Sequence, residues 1–281
     1  MTSTILITGA SGNIGTPLVQ QLKAAGVAFD VLRSHGQAQP GTRVASYDDV
    51  AALTRAFTGI DTLFLLLPLV ENKLQLAKNA VAAAKAAGVK HIVRSSGAGA
   101  DANSPFAIAR LQGQIDALLT GSGIATTLLR PAAFMQNYAT FTAGQVKAGT
   151  VYAAHADAAQ SLVDTRDIAA VAATILRNPT PHAGKAYTLT GGEALTTQQF
   201  VAEISSALGK PVAYQPVSFE QAVEAMKGMG MPGWMIELFD SLNRVISAGY
   251  AAGVSPDVEH LLGRKPITAR RFVQDNVAAW R

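Results

Sequence analysis

Residues 4 to 15 constrain this chain more than any other stretch. Thr4-Ile5-Leu6-Ile7 is a short apolar run and reads as a buried strand. It leads directly into Gly9-Ala10-Ser11-Gly12-Asn13-Ile14-Gly15, and Pro17 to Ala25 then reads as a helix stopped by Gly26. The spacing is G-x-x-G-x-x-G. Gly9 allows a tight turn out of the strand, and Gly12 lets the backbone approach a pyrophosphate with no Cβ in the way. Gly15 lets the helix sit close to the sheet. The start of that helix offers free N–H groups and a positive dipole end to an anion. Strand, glycine turn and helix in this order make Gly9, Ala10, Ser11, Gly12, Asn13, Ile14 and Gly15 an expected dinucleotide cradle.

The pattern repeats along the first two-thirds of the chain. Strands are expected at Phe29 to Leu32, Thr62 to Leu67, His91 to Val93 and Thr126 to Leu129. Helices are expected at Asp48 to Phe57, Asn72 to Ala87 and Phe106 to Leu119, with Asp48 or Asp49 as a cap and Gly88 as a stop. Short apolar strands joined by helices mean βαβ units. Right-handed crossovers then build an α/β, doubly wound parallel Rossmann sheet. After Pro131 the pattern changes. Residues 132 to 160 look irregular, Asp167 to Leu176 reads as a helix and Lys185 to Thr190 as a strand, and from Thr196 the chain looks mostly helical. The expected division is a cofactor domain over 1–190, with 135–162 contributing to the substrate pocket. A smaller, mostly helical lid would occupy 191–281.

At the end of the second strand a site for an unphosphorylated ribose would place an acid. The strand instead ends Leu32-Arg33-Ser34. A guanidinium suits a 2′-phosphate, so NADPH is expected in preference to NADH, with Arg33 and Ser34 beside the ribose.

Composition removes several alternatives. With no cysteine there is no disulfide, thiol nucleophile or cysteine-held metal. Charged residues are 15% of the 281, against roughly 25% in an average globular protein, and 51 residues are alanine. The formal charge of +4 comes from scattered basic residues without interleaved aromatics, so nucleic acid is not an expected partner. The apolar run Leu63 to Val70 is broken by Pro68 and is far short of the roughly 20 residues that span a bilayer. Met1 to Leu6 has no basic segment ahead of a long apolar stretch, so no signal peptide and a cytoplasmic location are expected. His35, His91, His155, His182 and His260 form no ligand pair, so no metal is expected. Asp164 and Asp167 read as caps or loop braces, and no Ser-His-Asp spacing suggests a hydrolase.

The chain resembles the NmrA-like family of atypical short-chain dehydrogenases/reductases over nearly its whole length. Beyond Ile7 to Gly15, the resemblance lies in Ala87-Gly88-Val89-Lys90-His91-Ile92-Val93, Gly113-Gln114-Ile115-Asp116 and Leu129 to Asn137. It continues in Val163 to Ala169 and Tyr187 to Gly191. Within the family the chain is most similar to bacterial quinone, azo-dye and triphenylmethane-dye reductases. Gln215 to Glu220 is especially like the last of these. The resemblance implies an adenine pocket at Ser46 and Tyr47, and a nicotinamide-ribose contact at Leu67, Pro68 and Leu69. It implies a nicotinamide border at Ser95, Ser96, Gly97, Gln112, Pro131, Ala132 and Phe134.

Typical short-chain dehydrogenases carry Y-x-x-x-K, whereas here the stretch is Ile108-Ala109-Arg110-Leu111-Gln112. Gln112 can only hydrogen-bond, so a Tyr-driven alcohol dehydrogenase is not expected. An isoflavone-reductase-like activity also lacks its usual lysine at Gln112. Two readings stand. One is direct hydride transfer to a conjugated small molecule such as a quinone, azo dye or triarylmethane dye, without flavin, with Gln112 and Ser96 as the catalytic candidates. The other is a non-catalytic NADP(H) sensor that binds a partner protein. An apolar slot would draw on Phe134, Met135, Asn137, Tyr138, Phe141 and Trp234, with Met226, Met229, Met231, Met235 and Phe239 nearby. A monomer or homodimer is expected.

Overall fold

The computed structural model describes residues 4–281. A seven-stranded sheet runs through it. Its strands are β1 (Ile5–Ile7), β2 (Phe29–Arg33), β3 (Thr42–Val44), β4 (Thr62–Leu65), β5 (His91–Ser95), β6 (Ala125–Pro131) and, late in the chain, β8 (Ala186–Leu189). The spatial order is β3-β2-β1-β4-β5-β6-β8. Pairings among the first six strands are parallel, with Ile7 opposite Val31 on one side and Phe64 on the other. The fold is the doubly wound Rossmann type expected from the alternating pattern.

The order explains where a ligand must sit. From β1 the chain moves outward to β2 and β3, then crosses back to β4 and continues the other way. The turn after β1 and the loop after β4 therefore open at a switch point at the carboxyl edge of the sheet.

The connecting helices are α1 (Gly15–Ala24), α2 (Val50–Phe57), α3 (Lys73–Ala87) and α4 (Ala107–Thr120). Leu53 and Phe57 of α2, Leu76, Ala77, Ala80 and Ala84 of α3, and Ile115 and Leu119 of α4 close on Leu63, Leu65 and Ile92 of the strands. Alanine along α3 lets that helix lie close to its neighbours, and each fully buried leucine contributes roughly 2 kcal/mol. Asp49 caps α2, accepting from the Ala52 N–H at 2.8 Å, and Gly88 ends α3 in the left-handed region at φ 74°.

The chain forms two compact units. The first comprises the described residues up to Ser104, with Ala109–Arg130 and Ile168–Tyr187. The second comprises Pro105–Ile108, Pro131–Asp167 and Thr188–Arg281. The units interleave along the chain, where the sequence pattern suggests a boundary at residue 190. Residues 132–160 are also more regular than expected. They contain α5 (Gln136–Ala139), α6 (Ala143–Ala148) and β7 (Thr150–Ala153).

The remaining elements are α7 (Thr165–Arg177), α8 (Thr197–Leu208), β9 (Ala213–Pro216), α9 (Phe219–Gly228), α10 (Gly233–Ser247), α11 (Asp257–Leu262) and α12 (Ala269–Asn276). β7 and β9 pair in parallel as a two-stranded sheet, so the tail is not purely helical. Both strands are four residues long, too short for a period to register. The second unit's core is aromatic. Tyr138 stacks on Phe200 with centroids 4.2 Å apart, and the Trp280 indole N–H donates to the Tyr138 carbonyl at 2.7 Å. Capping boxes start α8 (Thr196 with Gln199) and α9 (Ser218 with Gln221). Gln215 to Glu220 thus spans the end of β9 and the start of α9.

Candidate cofactor and active site

The glycine turn behaves as its spacing demands. Gly9 has φ 65°, a conformation that side-chain-bearing residues rarely adopt, and a Cβ there would also press on the Leu66 side chain at 2.8 Å. A Cβ on Gly15 would run into the Gly9 carbonyl oxygen and approach the Ala10 Cα to 2.6 Å. Gly15 therefore lets α1 start against the turn itself, rather than against the sheet alone. Gly12 is different. Its missing Cβ would meet only the Gly9 oxygen, at 3.5 Å, and Ser11, Gly12 and Asn13 are exposed. That open face over a helix start, where Ile14 supplies no capping side chain, fits a pyrophosphate.

Thr8 ties this turn to the next strand, its Oγ1 accepting from the Leu66 N–H at 2.8 Å and donating to the Leu66 carbonyl at 3.1 Å. Leu67, Pro68 and Leu69 follow at once. Leu67 is buried in the core of this unit, whereas Leu69 is exposed. Arg33 ends β2 exposed, and its guanidinium has no hydrogen bond or ion pair among the described residues. Ser34 Oγ lies 2.9 Å from His35 Nε2. Ser46 is exposed beyond β3. The Tyr47 ring packs against the core, and burial pushes its phenol up to about 12. An exposed arginine with no competing carboxylate, beside an open glycine cradle, fits a phosphorylated dinucleotide.

The end of β5 carries the most developed polar arrangement in the first unit. Its organiser is Arg94, which the sequence reading passed over because one arginine in an apolar strand has no period. Arg94 is 1% exposed. Its Nη1 donates to Ser96 Oγ at 2.8 Å, to the Gln112 carbonyl at 3.1 Å and to Asp116 Oδ1. Its Nη2 donates to Gln112 Oε1 at 2.5 Å. Arg130 clamps the other Asp116 oxygen at 3.0 Å. Gly97 makes room for the Gln112 side chain, whose Cγ would lie 3.3 Å from a Cβ at that position. Ser96, Gly97 and Gln112 are therefore brought together. Ser95 is buried beside them on the strand's other side.

Lys73 also went unnoticed in the sequence. It begins α3 on the stripe that continues through Leu76, Ala77 and Ala80, and it is 8% exposed. Its ammonium has no partner among the described residues. Burial and the neighbouring charge of Arg94 lower it to about 8. The same two causes in order, burial and then Arg130, bring Arg94 down to about 9. Two cations, Arg94 and Arg130, thus hold one carboxylate, Asp116, and Lys73 feels the charge of Arg94.

The second unit holds the other expected residues. Phe134 and Asn137 are half-buried, as is Trp234 on α10, while Met135 and Tyr138 are buried in the aromatic core. The Ala132 N–H donates to the Leu189 carbonyl at 2.9 Å, and Pro131 is buried. Phe141 and Met229 are exposed, and Met226 is buried. A cleft of about 510 Å³ lined by Glu193, Gln199, Glu203 and Arg270 contains none of these residues. Among the described residues no group of three His, Asp or Glu side chains could hold a metal, and no helix is long and apolar enough to cross a membrane.

Residues 1–260 match the model of the NmrA-like family. The chain belongs to the NmrA-like family. It is 36% identical to the NAD(P)H azoreductase of Xenophilus azovorans, over 98% of this chain and 99% of that one. It is 35% identical to the (4-alkanoyl-5-oxo-2,5-dihydrofuran-3-yl)methyl phosphate reductase of Streptomyces griseus, over 98% and 99%. The crystal structure of the NADPH-dependent quinone oxidoreductase of Escherichia coli, complexed with NADPH, matches with a TM-score of 0.87 at 30% identity, covering 96% of this chain and 99% of that one. The chain is an NAD(P)H-dependent reductase of that family.

Proposed function

We propose that this NmrA-like protein is an NADPH-preferring reductase of flat, conjugated small molecules such as quinones and azo dyes. The observation that carries this reading is the glycine cradle at the switch point, open over Gly12 and flanked by the unengaged Arg33. Gly9 to Gly15 would hold the pyrophosphate, Arg33 and Ser34 the 2′-phosphate, and Ser46 the adenine side. Leu67 to Leu69, Ser95 and Gly97 would border the nicotinamide. When bound, the reduced nicotinamide supplies a hydride.

The chain's own residues supply orientation and hydrogen bonds. Ile108 and Gln112 stand where a tyrosine acid and a lysine would be needed for a simple alcohol or ketone. A conjugated electrophile needs mainly proximity and alignment. The names of the azo, quinone and butenolide-phosphate reductases support this class of acceptor. The missing Tyr and Lys equally suit a second reading, a non-catalytic NADP(H) sensor.

One experiment separates them. NADPH is incubated with a panel of quinones and azo dyes, and loss of the cofactor's absorbance is followed. Turnover is expected, and Arg33→Ala should raise the KM for NADPH at least tenfold while leaving that for NADH nearly unchanged. Tight NADP(H) binding without turnover on any acceptor would overturn the reductase in favour of the sensor.

A further inference from the structure

We propose that Arg94 is a positioning residue that sets the hydrogen-bonding sense of Ser96 and Gln112, turning a donor hydrogen of each away from itself and so favouring acceptors bearing a lone-pair oxygen or nitrogen. This rests on the reductase reading and narrows its substrate class.

A guanidinium has five N–H groups and no lone pair to offer. Whatever faces it must accept. Arg94 Nη1 lies 2.8 Å from Ser96 Oγ, so that oxygen accepts, and the hydroxyl hydrogen is free to point elsewhere. Nη2 lies 2.5 Å from Gln112 Oε1, so the amide must turn its carbonyl inward, and its NH₂ group points away from Arg94. Neither the Ser96 hydroxyl hydrogen nor the Gln112 NH₂ has an acceptor among the described residues. Arg94 cannot rotate out of this role. It is 1% exposed and held by Asp116, which Arg130 holds in turn. Gln112 is seated over Gly97, where a side chain would displace it.

Two donors at one strand end are matched by a carbonyl oxygen or an azo nitrogen. When hydride adds to a quinone ring, the displaced π electrons collect on that oxygen, which then takes a proton from solvent. Donors already aimed there hold the developing charge, and loss of one such donor typically costs 10²–10³ in rate. A triarylmethyl cation takes hydride at carbon and gathers no negative charge, so the pair does nothing for it.

The test compares 1,4-naphthoquinone with a triarylmethane cation dye in the wild type, Arg94→Met, Arg94→Lys and Gln112→Glu. Glutamate keeps the size of Gln112 but turns its donor into an acceptor. The ratio of kcat/KM for quinone over dye is expected to fall at least tenfold in Arg94→Met and Gln112→Glu, and less in Arg94→Lys. Effects on folding or cofactor affinity strike both substrates and cancel in that ratio. Equal losses on both substrates, or an unchanged ratio, overturn the proposal. If Arg94→Met does not fold, Gln112→Glu decides alone. If the wild type binds NADPH but reduces neither compound, the reductase reading fails separately. The ratio is then read from dissociation constants of the two compounds for the NADP⁺ complex, with the same expectation.

Discussion

The two units bury charge of opposite sign. In the first, the buried cations Arg94 and Lys73 outnumber the buried carboxylate Asp116, which Arg94 and the partly exposed Arg130 hold between them. In the second the buried charged groups are acids. Asp164 and Asp167 are both 0% exposed, and their partners Arg166 and Arg264 reach in from solvent. Asp164 accepts from the Gln136 amide and the Arg166 backbone N–H, each at 2.8 Å, and from the Arg166 guanidinium. Asp167 accepts from the Ile267 N–H at 2.7 Å. These acids pin loops to the start of α7. The cations leave Lys73 unpartnered, and Ser96 and Gln112 with hydrogens to give. The paired acids tie backbone to backbone, whereas the first unit keeps donor hydrogens that no described residue accepts.

The largest expected effect comes from breaking the answered side. Asp164→Ala strands the Gln136 amide and the Arg166 backbone N–H, and should cost about 3–5 kcal/mol. A thermal midpoint lower by on the order of 10 °C would register it. NADPH affinity measured well below that midpoint should stay unchanged. A midpoint within 2 °C of the wild type would mean that Asp164 pins nothing.

The opposite side should respond with the opposite sign. Lys73 is held at about 8, against 10.5 for a free lysine, so at pH 7 the fold carries the cost of a buried ammonium. Lys73→Met is expected to stabilise the cofactor-free protein by up to about 3 kcal/mol at pH 7. Between pH 8 and 10.5 the unfolded chain binds more protons, so wild-type stability rises and the gap closes. A destabilised Lys73→Met protein would sink this account.

The smallest effect concerns histidine. Burial lowers His91, His155 and His182 below the usual 6.5, with neighbouring cations adding to this for His91 and His182. The native state therefore binds fewer of these protons than the unfolded chain once the pH drops below about 6.5. Stability should fall through that window and hold above it. His155→Gln should flatten part of the slope in a series of melts from pH 7 to 5, and an unchanged slope would remove His155 from the explanation.

How much of this was legible depends on the range of the interaction. The order of β1, β2, β4, β5 and β6 with α1 to α4 follows from local apolar runs and their stops. Gly9 and Gly15 could be read because a turn of seven residues states its own steric needs. β3 could not be read, since Thr42-Arg43-Val44 has no period and exists through pairing with Val31 and Arg33. β7 and β9 are hidden for the same reason, Thr150 pairing with Ala213 far along the chain, so that they are partners only in space.

The sequence by itself therefore determined the glycine turn, the parallel sheet and the loss of the tyrosine–lysine pair, because each is written in neighbouring residues. Only the tertiary structure decided that Arg94, Ser96, Gln112 and Asp116 form one network, and that Lys73 lies beside it without a partner. Those groups come from one strand, the loop after it and two helices, and a hydrogen bond's sense depends on which lone pair faces which hydrogen. No spacing along the chain encodes that.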